Sequence, residues 1–299
     1  MVSAIDAGGG PMQWRIMTTA LRLDWLSAPA RWRWLPGPLR AGYALVVKRL
    51  WSLVKVPVIA DIPGIGRMAL EPWDLIDSRL FFFHVWEPGV TALMEGSIAP
   101  GAVAIDIGAN IGYYTLLMSR LVGPQGHVFA VEPSPEIRAR LEAQLALNQV
   151  TNVTVIPYGI SDRAERRAFH LSAANLGASR FGEPTAQGGL ELRRLAEAVP
   201  ASWLARARFV KIDVEGMEAP VLRDIMTLLP DLPHDVCLCA ELRIDDDLRP
   251  ILAELQASGF AALELPNHYS MFDYPTHPTS ALPANDFADG QVDIALKRG

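Results

Sequence analysis

From Val103 onward, short apolar runs alternate along the chain with longer stretches whose apolar residues recur every three or four positions. The short runs have the length and β-branched content of strands, and the longer stretches have the spacing of amphipathic helices. Val103–Ile107 reads as a strand ending in a glycine turn, and 111–121 as a helix capped by Asn110. His127–Val131 is the next strand. Ser134 then caps a helix with Pro135 at its first position and Ile137, Leu141 and Leu145 as its inner stripe. Val153–Ile156 is a third strand, 209–212 a fourth with a helix running to Leu229, and 236–240 a fifth with a helix over 248–258. Runs at 261–265 and 292–296 close the pattern. Strands that alternate with crossover helices predict an α/β fold with a mostly parallel sheet covered on both faces. The last two strands lack a helix between them and can pair antiparallel.

Upstream, 66–71 reads as a strand and 73–96 as a helical lead-in. Nearer the N-terminus, Tyr43, Val47, Leu50, Trp51 and Val54 fall on one face of a helix, with Lys48, Ser52 and Lys55 on another. Charge marks this segment off. Residues 13–58 hold eight basic residues against Asp24 alone, a net +7, and five of the eight tryptophans. Residues 59–299 carry a net −12. The expected organisation is a basic, Trp-rich helical arm over 1–58, a lead-in strand and helix over 59–98, and the main α/β domain over 99–299. The arm suits contact with a membrane surface or a second subunit through residues 13–58.

Composition removes several function classes. Half of the 299 residues are hydrophobic, 20% are charged and the net charge is −6, which excludes a disordered chain and a wholesale nucleic-acid binder. Cys237 and Cys239 are two apart in an apolar run and share one strand face, so they read as buried thiols in a reducing cytosol rather than a disulfide or metal pair. The first twelve residues lack a basic segment followed by an apolar one, and no run of about 18 apolar residues occurs. The expected location is cytoplasmic, at most peripheral to a membrane.

The chemistry gathers at the first strand. Asp106-Ile-Gly108-Ala-Asn110-Ile-Gly112 places two glycines where the backbone must turn tightly and approach a ligand. Glu132 ends the second strand, 20 residues past Gly112, where a carboxylate can accept hydrogen bonds from both ribose hydroxyls of an adenosine. A dinucleotide-binding turn would read G-x-G-x-x-G, to seat a pyrophosphate. Here Asn110 replaces the middle glycine, and the Asp106 carboxylate suits an ammonium group instead. The acidic pair Asp106 and Glu132 therefore favours S-adenosylmethionine over a nicotinamide dinucleotide.

Several motifs in order carry a family resemblance. The segment from Val103 to Thr115, the Val131-Glu132-Pro133-Ser134-Pro135 run, Ser161-Asp162, a looser Asn-Gly-Ser-type loop at 175–179, and Val210-Lys211-Ile212-Asp213-Val214-Glu215-Gly216-Met217-Glu218 resemble the FkbM-type methyltransferases. The resemblance spans about 86–265. It implies a Rossmann-like class I methyltransferase sheet, S-adenosylmethionine as cofactor, and methylation of hydroxyls on sugars or secondary metabolites. Asp106, Gly108, Asn110 and Gly112 would hold the methionine end of the cofactor, Glu132 the ribose, and Ile160 and Ser161 would lie beside the adenine. The arm and 267–280 depart from the family pattern.

A hydroxyl acceptor must lose its proton. Asp213, Glu215 and Glu218, at the end of the fourth strand and the start of its helix, are the candidates, with Asp213 and Glu215 on a shared face. Three readings stay open for them: a general base, ligands for a divalent cation that acidifies the hydroxyl, or structural carboxylates at a helix start. The base reading for Asp213 and Glu215 is preferred to the metal. Glu241 ends the fifth strand at the same edge, Arg180 could orient a substrate, and the aromatic stretch 268–277 could close over a pocket. Methylation of nitrogen or carbon, and an inactive cofactor-binding module, are the competing functions.

Overall fold

The computed structural model describes residues 37–172, 179–267, 280–284, 287 and 290–298. The arm before residue 37, residues 175–178 of the Asn-Gly-Ser-type loop, and the stretch 268–277 lie outside them. The chain begins with α1 (Gly37–Val54), a hairpin of β1 (Val58–Ile62) and β2 (Gly66–Leu70), then α2 (Leu75–Phe83) and α3 (Pro88–Ser97). The alternating part follows as β3 (Val103–Ile107), α4 (Tyr113–Val122), β4 (His127–Val131), α5 (Pro135–Leu147) and β5 (Val153–Ile156). Short elements come next: β6 (Gly159–Ile160), β7 (Glu165–His170), β8 (Arg180–Pro184), β9 (Leu190–Arg193), α6 (Leu195–Ala198) and α7 (Ala201–Leu204). Then come β10 (Ala207–Ile212), α8 (Glu218–Leu228), β11 (Cys237–Ile244), α9 (Leu248–Ala257), β12 (Phe260–Glu264), β13 (Leu282–Pro283) and β14 (Gly290–Arg298).

Eight strands form the central sheet in the order β13-β12-β14-β11-β10-β3-β4-β5. From β5 to β11 all neighbours are parallel; β14 runs antiparallel to both β11 and β12. This is the mostly parallel Rossmann-like sheet with an antiparallel last strand that the sequence predicts. All five residues of β3 are buried, as expected of a central strand covered on both faces. Val103, Ile105 and Ile107 join a core with α8 and α9, while Ala104 joins a second core with α4, Phe209, Cys237 and Cys239. That second core extends to Ala44 and Val47 of α1 and to the β1–β2 hairpin. The hairpin is tied to α5 by Gln144, which exchanges two hydrogen bonds with the Ala69 backbone. The buried Arg140–Asp77 ion pair joins α5 to α2.

Several local expectations need correction. Gly112, at φ 94°, caps α4, not Asn110; Asn110 sits in the left-handed turn at φ 49°. The segment 73–96 is two helices, broken where His84 and Glu87 take positive φ. The inner face of α1 is Ala41, Ala44 and Val47, with Tyr43 and Trp51 partly buried beside them; Leu50 and Val54 point to solvent at 57% and 63% exposure. Lys48 turns inward, donating to the Asp74 carbonyl and to Ser78 Oγ. A four-stranded sheet, β6-β9-β7-β8, fills the stretch between β5 and β10 and has no counterpart in the hydrophobic pattern.

Candidate active site

Strand alternation sends Asp106 to the same face as Ala104, away from Ile105 and Ile107. Asp106 is fully buried. Its Oδ2 accepts from Thr115 Oγ1 at 2.6 Å, and its Oδ1 has no partner among the described residues. Burial raises its pKa. The chain then turns through Gly108 at φ 83°, and the Gly108 and Ala109 amides donate to the Val131 carbonyl at 3.1 and 2.9 Å. Asp213 donates its amide to the Ile107 carbonyl at 2.9 Å, so the loops after β3 and β10 are laced together. A Cβ on Gly108 would overlap the Asp213 carbonyl oxygen. Gly108→Ala is expected to destabilise the protein by about 2–6 kcal/mol, through backbone strain and overpacking together. Denaturant midpoints check this; an unchanged midpoint would mean the two loops can part at no cost.

A cleft of about 590 Å³, counting the space at its mouth that is open to solvent, lies where β3, β4 and β10 end and forms the larger cavity. Of the residues singled out by sequence, Gly108, Asn110, Glu132, Ile160, Asp213 and Glu215 line it. Phe169 and Phe181, from the four-stranded sheet, form another wall. Asp106, Gly112 and Ser161 are not in its lining. Gly112 is pressed against Leu141, and the buried Ser161 donates its hydroxyl to Glu165 Oε1 at 3.2 Å. Glu132 is 5% exposed. Its Oε2 accepts from the Asn110 amide at 3.1 Å and its Oε1 from the Ser134 amide at 2.9 Å. Burial pushes its pKa up to about 7, against those two amides.

The cavity fits S-adenosylmethionine in its donor set. Asn110 Oδ1 is buried at the wall without a hydrogen-bond partner among the described residues. Each Glu132 oxygen has used one of its two acceptor directions, which leaves one apiece for a pair of ribose hydroxyls.

A second cavity, about 220 Å³, adjoins the first and shares Asp213, Val214 and Glu215 with it. Glu218, Glu241, Arg243 and Gln291 also line it. Asp213 Oδ2 accepts from Lys211 Nζ at 2.8 Å, whereas Oδ1 makes no hydrogen bond among the described residues. Lys211 is buried, with its ammonium 4.8 Å from the centre of the Tyr114 ring. Although burial disfavours its charge, the neighbouring Asp213 and Asp106 carboxylates hold its pKa above that of an ordinary lysine.

Behind the second cavity, carboxyl oxygens of Glu87, Glu241 and Asp293 lie within 4.8 Å of one another. Tyr114 Oη donates to Glu87 at 2.7 Å, Asn267 Nδ2 to Asp293 at 3.2 Å, and Gln291 Nε2 to Glu241. Burial, with repulsion from the Asp213 carboxylate adding to each, pushes Glu87 up to about 8, Glu241 to about 10 and Asp293 to about 6. Among the described residues these three, rather than Asp213 and Glu215, have the spacing to hold a metal ion. Sequence reasoning missed Glu87, Lys211 and Asp293. Lys211 lies inside a recognised motif, but Glu87 and Asp293 reach the site from distant segments.

Comparison with known proteins follows this geometry. The family model described as the methyltransferase FkbM domain matches residues 106–255. A hexuronic acid methyltransferase, AglP, from Haloferax volcanii is 26% identical over 185 residues, which cover 59% of this chain and 71% of that protein. Methyltransferase sdnD from Sordaria araneosa is 29% identical over 158 residues, covering 40% of this chain and 59% of that one. A solved FkbM methyltransferase from Methylobacillus flagellatus is similar at a TM-score of 0.42 and 13% identity, over 69% of this chain and 50% of its own. Matched over half its length by the family model, the chain belongs to the FkbM methyltransferases.

Proposed function

We propose that this enzyme methylates a hydroxyl oxygen of a sugar or a secondary metabolite. The observation that carries the reading is the pair of adjoining cavities, which meet at a carboxylate with one oxygen anchored and one free. S-adenosylmethionine brings an activated methyl group on a sulfonium, so the protein has to align the acceptor, keep water out and take up one proton. In the larger cavity, Glu132 holds the ribose, Asn110 and the Gly108 turn hold the methionine end, and Ile160 packs on the adenine. Asp106, Gly112 and Ser161 support that cavity from behind its wall. In the smaller cavity the acceptor hydroxyl lies against Asp213 Oδ1. Bound S-adenosylmethionine would supply the methyl group, its carbon–sulfur bond breaking to leave S-adenosylhomocysteine as the acceptor oxygen bonds to that carbon; Asp213 Oδ1 would take the acceptor's proton, and Lys211 would keep the other carboxylate oxygen fixed. Alignment of this kind removes roughly 7–11 kcal/mol of barrier, and a placed base adds about 10²–10⁴-fold.

The uronate acceptor named for the Haloferax relative is not carried over. Asp213, Glu215 and Glu218 against Arg243 alone make the second cavity unfavourable for an anionic acceptor, even with Glu241 held protonated by its burial. The same crowding supports a second reading, methylation of an amine. Burial and neighbouring carboxylates raise the pKa of Glu215, Glu218 and Glu241, and an ammonium would relieve that repulsion. A panel of matched neutral, amino- and carboxylate-bearing glycosides, read by product mass, tests both. Addition of one methyl at a hydroxyl of the neutral glycosides is the expected result; methylation at nitrogen alone would replace the first reading with the second.

A further inference from the structure

We propose that α1 seats the protein on an anionic lipid surface. Eight large hydrophobic residues are exposed among the described residues, and six of them lie on this one helix: Leu39, Leu45, Val46, Leu50, Leu53 and Val54. At 100° per residue, Leu39, Val46, Leu50 and Leu53 fall into one stripe, and they are 60%, 61%, 57% and 72% exposed. The opposite side of the helix, Ala41, Ala44 and Val47, is already buried on the protein's own core. Single exposed apolar residues are normal on a soluble surface; a continuous apolar stripe marks a contact.

Charge selects the occupant. α1 holds Arg40 and Arg49 besides the inward-turned Lys48, and no acid, within a stretch, 13–58, that carries a net +7 and five tryptophans. Tryptophan with nearby arginine and lysine favours the headgroup layer of a bilayer. Residues 59–299, at −12, are repelled by the same surface. One orientation therefore follows, with the stripe down and the acidic body away. A two-fold dimer through α1 would instead bring two +7 arms together, since such an interface pairs each patch with its own copy. No helix among the described residues is long and apolar enough to cross a membrane, so the contact lies in the surface plane.

The test is co-sedimentation of the full chain with phosphatidylcholine vesicles with and without phosphatidylserine, in low and high salt. Wild-type protein is expected to sediment with the phosphatidylserine vesicles only, and less in high salt. Leu50→Asp/Leu53→Asp, at two exposed positions outside the active site, is expected to lower that partition about tenfold or more while melting temperature and turnover hold. Equal partition of variant and wild type would overturn the proposal, as would wild-type protein that ignores both vesicles. Sedimentation velocity supplies another overturning result: a dimer that the same two substitutions dissolve.

Discussion

Asp213→Asn is expected to lower turnover by about 10²–10⁴-fold while cofactor affinity changes little. The substitution preserves shape and removes the proton acceptor. It also leaves the buried Lys211 ammonium facing a neutral amide, so melting temperature should fall as well. Rate per folded molecule separates the two effects. A chelator and magnesium series on the wild type separates a base from a metal ligand. Lys211→Met on top of Asp213→Asn removes the stranded charge and should restore stability without restoring rate. If Asp213→Asn turns over at the wild-type rate per folded molecule, without metal dependence, neither catalytic role holds and Asp213 is structural.

Loss of Glu132 should act on binding rather than on rate. Two hydrogen bonds from ribose hydroxyls to a buried carboxylate are worth about 3–6 kcal/mol before non-additivity, so Glu132→Ala should weaken S-adenosylhomocysteine binding by about 10²–10⁴-fold. The Asn110 and Ser134 amides lose their acceptor too, so Glu132→Gln, which returns one oxygen, should fall in between. A pH series gives an independent reading. Burial holds the free carboxyl near pKa 7, and the ribose hydroxyls favour its ionised form. Affinity should therefore be full above about pH 7 and decline as pH falls through it, with a proton released on binding. Calorimetric titration across that range measures both; a pH-independent affinity in the wild type, or unchanged affinity in the alanine variant, would remove Glu132 from the ribose.

Where the chain alternates between runs of two kinds, its sequence was a good guide. The order of β3, β4, β5, β10 and β11, the Ser134 cap and the antiparallel final strand follow from periodicity and turn chemistry alone. Legibility failed where burial is partial. β7 reads Glu-Arg-Arg-Ala-Phe-His and β8 Arg-Phe-Gly-Glu-Pro, and neither shows a clean alternation because each is only partly covered. Yet those strands deliver Phe169 and Phe181 to the larger cavity. On α1 the large residues pointed the wrong way: the core accepts two alanines and one valine, a close approach that side-chain size conceals. At the site, the glycine turn and Glu132 were readable because their spacing is local. Glu87 and Asp293 converge from positions about two hundred residues apart: the β11–β14 register sets Asp293 opposite Glu241, and Glu87, at the N-cap of α3, comes within 4.8 Å of both.

The position of β14 has a consequence for the order in which the molecule is assembled. It follows every other described strand along the chain, yet it lies inside the sheet, hydrogen-bonded to β11 on one side and β12 on the other. The parallel half, with the Gly108 turn and Glu132, can close while the chain is still being made. β12, by contrast, has no place to dock until β14 arrives between it and β11. During synthesis the nascent protein therefore carries a parallel half that is complete beside a strand edge left open, and such an edge is the part of a sheet most prone to pair with another chain. Asp293 rides on that late strand, so the carboxyl cluster it forms with Glu87 and Glu241 is completed only after the Gly108 turn and Glu132.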